Sequence, residues 1–170
     1  MATVRFISRI LFILTRLAAL GYGLSFLLSA LAFATGWSFH VNEQQSRFEI
    51  YYPFTTKPYL LGEYNPGYLC MFLLLLGMYT LFFYLVSRVF TVFTQTRLFT
   101  TYGIRQLQWF YRGNLLLPTL VTVLISLVYP LGSPVEVLIS LHFLLGVFTY
   151  FLAVIFQQGL TLQNEQDLII

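Results

Sequence analysis

Tyr68–Arg88 reads YLCMFLLLLGMYTLFFYLVSR, and its first charge is its last residue. A helix needs roughly 20 apolar residues to cross a hydrocarbon core of about 30 Å. Tyr68 to Val86 therefore reads as a membrane span. Three further apolar runs stand around it: Ile10 to Phe33, Leu115 to Leu131 (led in by Trp109 to Tyr111), and Val135 to Phe156. In lipid every backbone N–H and C=O must be paired within the segment, so each run is expected to be a helix. A β-barrel would need alternating segments of about 10 residues, and the chain has none.

The composition agrees with a lipid solvent. Of the 170 residues, 58% are hydrophobic and 9% charged, with a mean hydropathy of +0.79. Soluble domains carry about 25% charged residues. The lone Cys70 has no partner for a disulfide or a C-x-x-C pair, so thiol-redox chemistry is excluded and Cys70 reads as a small apolar residue in a span. A net charge of +3 is too small to argue for direct nucleic-acid binding.

The N-terminus imitates a secretory signal, with Arg5, Arg9 and Arg16 ahead of small residues Ala30, Ala32 and Ala34. Its apolar run is longer than a signal core, and an uncleaved span is expected. Basic residues orient the spans. Arg5, Arg9, Arg16, Arg88, Arg97, Arg105 and Arg112 fall on one side, against Arg47 and Lys57 on the other, where Glu43, Glu49, Glu63 and Glu136 also lie. This places both termini and the 87–114 connection in the cytoplasm of a bacterial cell, with the protein multi-pass in its inner membrane.

Two connections have patterns of their own. In the outer loop, 34–67, Trp37, Phe39 and Val41 alternate with polar residues, as do Phe48, Ile50 and Tyr52 across NEQQSR. That is the period of a β-hairpin covered on one face. Pro53, Pro58 and Pro66 are expected to end regular structure there. The hairpin is either a lid on the helices or a recognition surface for an outer ligand. On the inner side, Val86, Val89, Phe90 and Phe93 continue span two as an amphipathic helix. A second helix should begin at Thr101 as N-cap and carry Ile104 and Leu107 into span three. The 87–114 segment thus reads as a cytoplasmic helical hairpin closed by TRLFT.

Helix association in lipid needs close packing and hydrogen bonds. Gly21, Ser25 and Ser29, flanked by Ala18 and Ala32, form a small-residue stripe on span one. It would suit span two, span four or a second copy of the chain, so a homo-oligomer stays among the candidates. Pro118 should kink span three, with Thr119 or Thr122 answering the freed carbonyl.

His142 is the one ionisable residue well inside a span, where such groups mark candidate function. It would relay a proton, sense pH or bind a ligand, or else rest neutral against Ser126, Thr122 or Tyr79. His40 lies in the outer loop, so a haem held by two histidines is not expected, nor is any metal or other cofactor. Arg16 is expected to snorkel to the inner headgroups or meet an acid there. No Ser-His-Asp set, carboxylate pair or Gly-rich phosphate loop is present, and the chain is not expected to be an enzyme.

The chain ends TLQNEQDLII, leaving span four through Gln157-Gln158-Gly159. Glu165 and Asp167 are the only acids on the inner side. The tail, 157–170, is expected to fold back, pairing with Arg97, Arg105 and Arg112 while Leu168, Ile169 and Ile170 cover Val89, Phe90 and Phe93.

These residues also carry a resemblance. The chain is similar to a bacterial family of small four-span membrane proteins known as domain of unknown function 2975, which ends Gly-x-x-Leu-x-x-Glu-Asn-Asp-Leu-Thr-Ile. Gly159, Leu162, Glu165, Asp167, Leu168 and Ile170 fall in register, with Gln166 for Asn and Ile169 for Thr. The family's turn after span two, Pro-Phe-Thr-x-x-Asn followed by Leu-Arg, is matched by Leu98-Phe99-Thr100 and Ile104-Arg105. Tyr102-Gly103 stands where the family has Glu-Asn. The resemblance implies a neighbouring small helix-turn-helix regulator as cytoplasmic partner, and no family-wide catalytic motif.

The expected architecture is an all-α integral membrane protein: a four-transmembrane-helix bundle with a β-hairpin-like outer loop and a cytoplasmic helical hairpin. The leading functional expectation is a non-enzymatic sensor or regulatory module, its partners the lipid bilayer and that regulator. The alternative is a small-molecule or lipid carrier with a cavity near His142.

Overall fold

A computed structural model describes residues 2–167. Four helices and one small sheet occupy them: α1 (Ala2–Thr35), β1 (Phe39–Asn42), β2 (Arg47–Tyr51), β3 (Pro58–Glu63), α2 (Pro66–Val92), α3 (Thr101–Ser126) and α4 (Ser133–Asp167). Three of the helices are long and apolar enough to cross a membrane: Thr3–Thr35, Pro66–Val92 and Val135–Gln166. The expected third span, 115–131, differs. α3 stops at Ser126, and the part before Leu115 carries Arg105, Gln106, Gln108, Arg112 and Asn114. Only its last twelve residues, Leu115–Ser126, are largely apolar, and twelve residues of helix extend roughly 18 Å.

The helices pack as a sequence of antiparallel neighbours, α1 on α2, α2 on α3 and α3 on α4. Along the first pair, Phe33 meets Phe72, Gly77 faces Phe26 and Gly23 faces Thr80. Farther along, Arg16 covers Tyr84. Glycines set the other crossings. A Cβ on Gly113 would strike Leu85 at 2.7 Å, and one on Gly146 would strike Leu115 at 2.8 Å. Gly21 of the anticipated stripe is exposed, with open space where its Cβ would stand. Ser25, Ser29 and Ala32 of the stripe are buried, so only its Gly21 end lies off the packed face, and Gly23 makes the close approach there.

The outer loop is a three-stranded antiparallel sheet in the order β1-β2-β3. Phe39 pairs with Ile50 and Val41 with Phe48, the register that the alternation of apolar residues expects. The anticipated stop at the prolines is corrected twice. Pro58 opens β3, because the first residue of an edge strand can dispense with its N–H. Pro66 opens α2 behind the N-cap Asn65, whose side chain accepts from the Gly67 and Tyr68 N–H groups. One face of the sheet lies on the helix ends, where Phe48, Ile50 and Ala32 are fully buried and packed by Phe33, Leu60, Tyr68 and Phe72.

At the opposite end α2 closes at Phe93, and α3 begins after the N-cap Thr100, one residue earlier than expected. The Thr100 hydroxyl accepts from the Gly103 N–H at 3.0 Å. Val92, Ile104, Leu107, Ala153 and Phe156 form the core of this end. Pro118 sits within α3, and the Thr119 hydroxyl donates to the Leu115 carbonyl rather than to the Asn114 carbonyl that the proline frees. The expected tail fold-back is also corrected. α4 is helical through Asp167, because Gly159 lets the Phe99 ring pack directly on the helix backbone and Leu160 joins the inner core. The side chain of Asp167, and all of Leu168, Ile169 and Ile170, lie outside the described residues.

Candidate functional site

Three places gather polar groups. The deepest is a layer across the helices. His142 of α4 is buried, and its Nδ1 lies 2.9 Å from Oδ1 of Asn114 on α3. The Asn114 amide then donates to the Phe110 carbonyl at 2.9 Å. Phe82 stands edge-on to the imidazole at 5.0 Å between ring centres, and Tyr79 lies at 6.2 Å. Tyr22 of α1 completes the row against Tyr79. His142 stands nine residues into α4, roughly 14 Å along it, near the middle of a bilayer of about 30 Å.

Of the partners expected for His142, Tyr79 alone touches it. Ser126 is exposed and donates to the Val123 carbonyl, and Thr122 is half-buried eight residues beyond Asn114 on α3. In the sequence Asn114 is the last residue of the 87–114 connection, behind Arg105 and Arg112, and nothing in one dimension pairs it with His142. The signal that could have found it is an amide five residues past α3's aromatic Trp109. The space beside His142 is about 10 Å³, bounded by Met78, Phe82 and Pro118. That is about one water at most.

The second place is an outer cleft of about 580 Å³ lined by Gln45, Arg47, Glu63 and Tyr68. Arg47 and Glu63 are register partners on β2 and β3. Tyr129, in the turn after α3, donates to Glu63 Oε2 at 2.9 Å and ties the sheet to the helices. On β2, Tyr51 donates to Glu49 at 3.0 Å, and that bond holds its hydroxyl above the ordinary tyrosine pKa. His40 stacks on Tyr51, remote from His142.

The third place is the end opposite the sheet, where α2 meets α3. Arg88 Nε donates to Gln106 Oε1 at 3.0 Å with its guanidinium 5.7 Å from the Tyr102 ring centre. Arg112 lies over Tyr111; Arg105 and Glu165 are exposed. Arg5 reaches the Thr96 carbonyl. Arg16 meets Tyr84 at 4.8 Å, a contact worth about 0.5–2 kcal/mol. Arg97 lies in the turn between α2 and α3. Among the described residues, no group of three His, Cys, Asp or Glu could hold a metal.

Residues 17–170 match a family model described as a protein of unknown function, DUF2975. The chain belongs to this family. Neither the curated proteins nor the solved structures gave a match. Family membership assigns the chain no reaction.

Proposed function

We propose that the chain is a non-enzymatic regulatory module of the bacterial inner membrane, crossing it four times with both termini inside and presenting its inner end to a cytoplasmic partner. Four crossings are supported by the position of α3. Its start lies beside the end of α2, through Gly103 and Val92, and its far end beside the start of α2, through Val128 and Gly67. A helix level with α2 throughout crosses wherever α2 does. Its arginines then lie toward the inner boundary, in keeping with the positive-inside rule.

The observation that carries the partner reading is α4. At 35 residues it is roughly 52 Å long, well beyond the hydrocarbon core. Its final turns carry Gln157, Gln158, Gln163, Asn164 and Glu165 into water while Phe156 and Leu160 anchor it to α2 and α3. A rigid polar helix held on a packed base is a surface for protein recognition. The tight packing around His142 counts against the carrier alternative.

The test is affinity capture of the full chain from its native membrane, beside a chain ended after Gly159. A specific soluble protein, a helix-turn-helix regulator being the family-based expectation, should accompany the full chain and be lost with the truncation. Equal capture by both would overturn the reading. Labelling of a cysteine placed at Arg97 by an impermeant reagent on intact cells would overturn the orientation.

A further inference from the structure

Two grooves meet at one side chain, Tyr84. The first runs between α1 and α2, encloses about 470 Å³, and is lined by Leu20, Gly23, Leu24, Leu27 and Leu81, with Arg16 at one end. The second lies between α2 and α3, encloses about 400 Å³, and is lined by Arg88, Tyr102, Arg105, Gln106 and Trp109. Tyr84 belongs to both, and neither has an acidic side chain in its wall.

Their depth follows from helix geometry. Tyr84 stands eighteen residues beyond Pro66, the start of α2, and Arg16 nineteen before Thr35, the end of α1. Both distances are roughly 27–29 Å, close to a hydrocarbon thickness of about 30 Å. Arg16 and Tyr84 thus share the interfacial level where aromatic and basic side chains gather. Trp109 lines the second groove with Tyr84, and Tyr102 stands seven residues nearer the start of α3, roughly 10 Å along the helix. From Arg16 to Leu27 the apolar groove follows α1 for roughly 16 Å, the depth of one leaflet.

We propose that these grooves form one site for an anionic phospholipid of the inner leaflet. Its phosphate sits between Arg88 and Arg105, and an acyl chain lies along Leu20, Leu24 and Leu27. The geometry supplies a reason for each part. Gln106 holds Arg88 through Nε, which presents the outer edge of the guanidinium, the edge that grips a phosphate in parallel hydrogen bonds. Tyr102 carries the same guanidinium on its ring. Arg16, stacked on Tyr84, marks the joint where headgroup and chain part. Charge complementarity selects the occupant: three arginines and no acid favour a net-negative headgroup over a zwitterionic one. This site is separate from the His142 layer and does not depend on the partner reading.

Native mass spectrometry of the full chain in detergent tests it, with phosphatidylglycerol and phosphatidylcholine offered at equal concentration. The chain should retain phosphatidylglycerol preferentially. The double change Arg88→Gln with Arg105→Gln should weaken retention about tenfold or more, while Lys57→Gln, an equal type of charge loss in the outer loop, should leave it unchanged. Leu24→Trp, which fills the apolar groove and keeps every arginine, should also lower retention, and it decides the question if the double variant does not fold. Equal retention of both lipids, or full retention by the double variant and by Leu24→Trp, would overturn the proposal. So would displacement of the lipid by millimolar inorganic phosphate, which would make the site one for a free anion.

Discussion

The two ends of the molecule have cores built in opposite ways. At one end a three-stranded sheet is laid on helix ends, and the filling is aromatic: Phe33 meets Phe48 edge-on at 5.4 Å, and Phe48 meets Phe72 at 5.6 Å. At the other end no strand is used, and the helices close around Val92, Leu107 and Phe156. Between the ends lies a stretch whose large side chains mostly face outward, such as Leu17, Leu24, Leu120 and Phe148. The difference follows from solvent. Water drives apolar burial at the ends, whereas lipid offers no such drive in the middle, leaving glycine contacts and hydrogen bonds to hold the helices.

Three substitutions probe that contrast. Phe48→Ala should have the largest effect, because Phe48 is wholly buried and touches four aromatic rings, Phe33, Phe39, Tyr68 and Phe72. Such truncations cost about 3–5 kcal/mol. Thermal unfolding in detergent should show the loss; an unchanged midpoint would mean the sheet is not part of the cooperative unit. Asn114→Ala comes next. It removes the partner of His142 in the middle, where interhelical hydrogen bonds average about 0.6 kcal/mol and reach about 1.7. A loss as large as that of Phe48→Ala would break the comparison, since the middle would then be held as strongly as the ends. Ser29→Ala should be the smallest. The Ser29 hydroxyl is buried with no partner among the described residues, and deleting an unsatisfied group is close to neutral or stabilising. A measured loss above about 1 kcal/mol would reveal a bond at that hydroxyl.

The sequence was most legible where one period dominated. Phe39/Val41 and Phe48/Ile50 alternate cleanly, and their pairing is the observed register. It was least legible where a residue's type suggested an ending that its neighbours overrode. Pro58 reads as a breaker but stands at a strand's first position, where the lost N–H is harmless. Gln157-Gln158-Gly159 reads as an exit from the helix, yet Gly159 is the seat of the Phe99 ring. Asn114 looked like the rim of a polar connection, because one-dimensional hydropathy averages it with Arg105 and Arg112. Only the packing of α3 on α4 brings it beside His142. Nor does a one-helix stripe show which way it faces: Gly21 points outward and Gly23, two residues on, meets Thr80. The grooves around Tyr84 have no linear signature at all, since their walls come from three helices.

The unbroken length of α4 has a mechanical consequence. From His142 to Gln166 the helix runs 24 residues without interruption, roughly 36 Å of stiff rod. A tilt of about 10° pivoting on the imidazole would swing the far tip sideways by about 6 Å over such a lever arm. Ala153, Phe156 and Leu160 of that rod are packed into the core with Val92 and Leu107, so such a swing would have to carry that core with it. Repacking beside the His142–Asn114 pair would therefore be felt there before it reached the tip.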